Sequence, residues 1–68
     1  MDNGWQCIYF SNQIYSIQIV RAALKEQDIE SVIVDKRDSS YVSIGDIEIF
    51  VPNQDVILAK IIIEQNGL

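Results

Sequence analysis

The densest grouping of residues able to do chemistry is the run Asp35-Lys36-Arg37-Asp38-Ser39-Ser40-Tyr41. Lys36 and Arg37 bring positive charge, Ser39 and Ser40 bring hydroxyl donors, and the amides of a turn can converge on the same point. Such a set can hold an oxyanion. The commoner use of these residue types is a solvated turn in which Asp38 and Ser39 bond their own backbone. Lys36, Arg37, Ser39 and Ser40 are the candidate ligand-binding residues. No glycine-rich phosphate loop accompanies them, and Gly45 alone is a weak signal.

Catalysis finds little support. The chain has no histidine, the side chain best suited to proton transfer near neutral pH. Cys7 is the only cysteine and lies in an apolar stretch, where a thiol is usually an inert core residue. Asp46 and Glu48 are two apart and share a face of a strand. Paired carboxylates can act as acid and base or hold a hard cation, though solvated strand carboxylates are far commoner. The expectation is a non-enzymatic chain with no catalytic residues, no metal and no cofactor. A metal-assisted enzyme using Asp46 and Glu48 is the remote alternative.

These residues have to be positioned by a chain of 68 residues, enough for one domain spanning 1–68. So short a chain buries a small share of its surface, and a lone cysteine allows no internal disulfide to compensate. Stability must come from an apolar core or from self-association. The composition, 49% hydrophobic, supports both. Ten acids against five bases give a net charge of −5, which argues against nucleic-acid or anionic-membrane partners. The start Met1-Asp2-Asn3-Gly4 lacks the positive charge and apolar core of a secretion signal, and no apolar run approaches bilayer length. A cytoplasmic location is expected.

Trp5–Phe10 reads as a strand, with Trp5, Cys7 and Tyr9 alternating against Gln6, Ile8 and Phe10. Ser11 or Asn12 can cap a helix over about Gln13 to Gln27, whose stripe is Ile14, Ile17, Val20 or Arg21, and Leu24, widened by Tyr15, Ile19 and Ala23. No glycine ends it. Asp28 must take the left-handed conformation there, with Ile29 folding back on Leu24. Ser31–Lys36 is a second strand, built on Val32-Ile33-Val34. A polar turn follows, Tyr41–Ile44 extends strand structure around a hairpin, and Gly45 marks a bulge or bend. Asp46–Val51 is the third strand, with Ile47, Ile49 and Val51 on one face and Asp46, Glu48 and Phe50 on the other. Pro52 ends it. Asn53 caps a second helix running to about Gln65, stopped by Asn66-Gly67. That helix is apolar almost all round, broken only by Lys60, and is expected to be buried on most of its surface.

The order β-α-β-β-α predicts an α+β fold, a three-stranded sheet in the order 1-3-2 with both helices on one face. This is the ferredoxin-like arrangement without its last strand. Strand one then becomes an exposed, apolar edge carrying Trp5, Tyr9 and Phe10, and the second face of the sheet exposes Phe50. Self-association is expected through this edge, the open face or the second helix, with Trp5, Tyr9, Phe10 and Phe50 as interface residues.

Several segments together resemble a known family. They are Asn12-Gln13-Ile14-Tyr15, Ile19-Val20, Leu24, Ile29-Glu30, Val32-Ile33-Val34, Lys36-Arg37-Asp38-Ser39-Ser40-Tyr41, Gly45-Asp46-Ile47-Glu48-Ile49-Phe50-Val51-Pro52, and Asp55 with Ala59. The family is that of the small bacterial domains described as "putative prokaryotic signal-transducing proteins", and the likeness runs from about Trp5 to Glu64. Its motifs are structural and none is catalytic. The family is of unknown function; its members are similar in fold to the ferredoxin-like nitrogen-regulatory PII proteins, which implies a regulatory or sensory role. The chain has no room for the long loop through which PII proteins work, so their nucleotide binding is not carried over. It departs from the family at Asp28, where Gly is usual. The resulting expectation is a regulatory or interaction module, a homodimer, that binds a protein or a small anion. The alternative is a structural homo-oligomeric subunit without ligand.

Overall fold

The computed structural model describes residues 4–36 and 47–67. Its elements are β1 (Trp5–Ser11), α1 (Ile14–Glu26), β2 (Val32–Asp35), β3 (Ile47–Pro52) and α2 (Val56–Gln65), with one 3₁₀ turn at Asn53–Asp55. The strands form a sheet in the order β1-β3-β2, and β3 runs antiparallel to both neighbours. β1 and β2 therefore point the same way, joined through α1. This is the expected ferredoxin-like β-α-β-β-α arrangement. The expected hairpin extension at Tyr41–Ile44, the bend at Gly45 and the strand position Asp46 lie outside the described residues.

The period-2 pattern of β3 decides which face of the sheet is buried. Ile47, Ile49 and Val51 have no exposed surface, while Glu48, Phe50 and Pro52 between them are half-buried. Val20 and Leu24 of α1, Ile29, and Ala59, Ile62 and Ile63 of α2 close over Ile49 and Val51 as one core. Each fully buried aliphatic side chain contributes roughly 1.5–3 kcal/mol. These layers supply most of the stability of a domain with no disulfide.

α1 ends as its sequence requires. Asp28 adopts a φ of 61°. Its N–H donates to the Lys25 carbonyl, and the Ile29 N–H donates to the Leu24 carbonyl, both at 3.0 Å. This pair of reversed bonds satisfies two carbonyls that the helix would leave free, and it turns Ile29 into the core beside Leu24. The start of α1 differs from expectation. Gln13 occupies the cap position without a side-chain bond, so neither Ser11 nor Asn12 is the cap. Ser11 acts one step earlier, where its hydroxyl oxygen accepts the Gln13 N–H at 3.1 Å.

Two further expectations are corrected. Asn53 does not cap α2 with its side chain; it opens the 3₁₀ turn instead. Its backbone N–H donates to the Gly4 carbonyl at 2.7 Å, tying the end of β3 to the entry of β1. And α2 is not buried on most of its surface. Ala59, Ile62 and Ile63 face the core, but Ile57 is 76% exposed and Leu58 and Ile61 are exposed beside it. The helix lies in an outer layer with protein beneath and beside it, and nothing among the described residues covers its far side. Gly67, with φ 72°, stops the helix as expected, and its N–H donates to the Glu64 carbonyl at 3.1 Å.

Candidate functional site

The sheet's second face is built by cross-strand register. Cys7, Phe50 and Val32 form one row across the strands, and Phe10, Glu48 and Val34 form the next. Directly paired residues share a face, so all six lie opposite the helices, with Trp5 and Pro52 beside them. Phe10 is 63% exposed, and Val32 and Val34 are also exposed. A strand pair with large apolar groups toward solvent leaves area that a core would ordinarily claim, and such patches mark interaction sites.

β1 reaches this face through an irregularity. The ladder shifts between Cys7 and Tyr9, which face Phe50 and Ile49, so Ile8 is an extra residue without an opposing partner. A bulge of this kind interrupts alternation and bends the strand. Its effect is to place both Ile8 and Tyr9 against the helix-side core, while Phe10 returns to the open face with Glu48. Of the four aromatic interface candidates, the structure thus gathers Trp5, Phe10 and Phe50 on one side and puts Tyr9 on the other. Strict alternation along Trp5–Phe10 does not hold. Val32 and Val34 belong to the same surface and were absent from the candidate set. Their parity with Phe50 and Glu48 is legible only once the strand order and register are known.

Along β1, Cys7, Ile8, Tyr9 and Phe10 together with Lys60 of α2 line an open cleft of about 460 Å³. Among the described residues, β1 pairs on one side only. It carries no Lys, Pro or acidic residue from Trp5 to Ser11 to discourage an added strand, and the bulge is the protective device that the strand itself supplies.

The anion-binding candidates fare differently. Lys36 follows β2, and its Nζ lies 3.2 Å from Oε1 of Glu48, beside the open face. A carboxylate held this close opposes the approach of an anion to the same ammonium. Arg37, Ser39 and Ser40 lie outside the described residues, as does Asp46, the expected companion of Glu48. Among the described residues no group of three His, Cys, Asp or Glu gathers around a point where a metal could sit. No helix of the described residues is long and apolar enough to cross a membrane.

Comparison with known proteins agrees with the family resemblance of the sequence. A family model described as "Putative prokaryotic signal transducing protein" matches residues 5–67. No curated protein and no solved structure matches the chain.

Proposed function

Since the chain belongs to this prokaryotic family, we propose that it is a non-enzymatic interaction module of a signalling system, which docks a protein partner on the open face of its sheet. The observation that carries this is the exposed apolar patch of Phe10, Val32 and Val34 around half-buried Phe50. Burying such a surface against a partner returns roughly 25 cal/mol for each Å² of apolar area removed from water. A protein fits better than a small anion, because the face is apolar and the described cation beside it, Lys36, already meets a carboxylate.

The test is site-specific photo-crosslinking in cells that express the chain. A photoreactive phenylalanine analogue at Phe10 is expected to capture a discrete protein. The same analogue at Lys25, exposed near the end of α1 on the helix side of the sheet, should not. Equal capture at both positions, or none at Phe10, Val32 or Val34, would refute the reading.

A further inference from the structure

α2 presents a second apolar surface that the open sheet face does not explain. Ile57 and Ile61, one turn apart, are 76% and 44% exposed, and Leu58 between them is 46% exposed. Residues three and four apart on a helix are surface neighbours, so these three form a continuous ridge on the side opposite Ala59 and Ile63. Lys60 and Glu64, also one turn apart, stand along one flank of that ridge. Both are exposed, and neither makes an ion pair among the described residues.

We propose that this ridge is where a second copy of the chain docks, with the two α2 helices packed antiparallel about a two-fold axis near Ile61. The charge pattern selects that occupant and that direction. In a two-fold contact each patch meets itself. When two helices pack antiparallel, like flanks face each other with their sequence order reversed, so Lys60 comes within reach of Glu64 of the second copy, and Glu64 within reach of its Lys60. A parallel pair would instead set this flank against the opposite flank of the second copy, where Leu58 and Gln65 offer no charge to answer Lys60 or Glu64. The ridge is thus self-complementary in one orientation only, with Ile57, Leu58 and Ile61 sealed between the helices. Stable interfaces bury about 800 Å² per partner, roughly a sixth of the 4713 Å² of this chain's surface. A ten-residue helix does not supply that alone. α1 is in contact with α2 and carries exposed Tyr15 and Ile19, and the proposed dimer draws on them for the remaining area.

The ridge and the open face share no residue but adjoin where Lys60 and Phe10 line one cleft, so variants at Ile57 and at Phe10 tell the two surfaces apart. Sedimentation equilibrium on the full chain tests the contact. The unaltered protein is expected to be a dimer at tens of micromolar. Ile57→Ser, at an exposed site outside the core, should weaken dimerisation at least tenfold. Lys60→Glu and Glu64→Lys should each weaken it several-fold by setting like charges opposite each other. An equimolar mixture of those two variants should restore a heterodimer, because each then offers the charge the other lacks. A monomer at high micromolar concentration overturns the inference. So does a mixture no tighter than the separate variants, or a dimer that Phe10→Ser dissociates and Ile57→Ser does not.

Discussion

Replacing Asp28 by glycine is expected to stabilise the domain, and the structure sets the size of the gain. Asp28 holds a φ of 61° at the end of α1. For a residue with a Cβ, the left-handed conformation costs on the order of 1–2 kcal/mol, and aspartate sits toward the lower end because its short polar side chain tolerates it. Glycine removes that cost, but it gives back roughly 0.5–1 kcal/mol through its greater freedom in the unfolded chain. The substitution also takes a carboxylate away from the negative pole of the helix, a gain of roughly a few tenths of a kcal/mol at an exposed site. The backbone bonds to Leu24 and Lys25 are kept, since they use main-chain atoms alone. The net expectation is about +0.3 to +0.8 kcal/mol. For a domain of this size a change of about 1 kcal/mol moves the melting temperature by roughly 4–8 °C.

Two companion variants separate the contributions. Asp28→Asn removes the charge while keeping a residue that accepts φ > 0, and should gain roughly a few tenths of a kcal/mol. Asp28→Val removes the charge but places a β-branched residue in the left-handed region, and should lose more than about 1 kcal/mol. Thermal and urea unfolding, read at one protein concentration so that self-association does not intrude, give the order Gly, Asn, Asp, Val from most to least stable. A glycine variant less stable than the parent, or a valine variant equal to it, would refute the account of how α1 ends.

Truncating Leu24 to alanine should cost about 2–5 kcal/mol, because the side chain is fully buried and Ile29 folds onto it. Urea unfolding reads the loss, and in a domain of marginal stability it will leave a large unfolded fraction at 37 °C. The Lys36–Glu48 pair, with side chains 55% and 25% exposed, should show a coupling no larger than about 1 kcal/mol in a double-mutant cycle, falling as salt is raised. A coupling of several kcal/mol that ignores salt would mean that the pair is far better shielded than its exposure indicates.

Much of this fold is written in short-range pattern. The alternation of Ile47, Ile49 and Val51, the i, i+3, i+7 spacing of Ile17, Val20 and Leu24, and the chain turn forced at Asp28 each depend on a few neighbouring residues. The chain alone therefore specified the elements, their order and the buried face of β3. It also predicted the sheet order, because a short connection from β2 to β3 after a helical crossover leaves one economical placement.

Tertiary packing decided the rest. Nothing local in Trp-Gln-Cys-Ile-Tyr-Phe states that Ile8 is an extra residue. Only the register against β3 inserts it, and with it Tyr9 goes to the core and Phe10 to the open face. Likewise, the all-round apolar character of α2 could not say how many sides would be covered. A helix in the outer layer of a sheet-and-helix domain can bury only the sides turned to the sheet and to its neighbour, which leaves Ile57 and Ile61 to solvent. In an uninterrupted helix or strand, periodicity fixes which residues share a face. How many layers the chain can build, and so which faces it must leave for something else to cover, is settled only by the way the whole molecule closes.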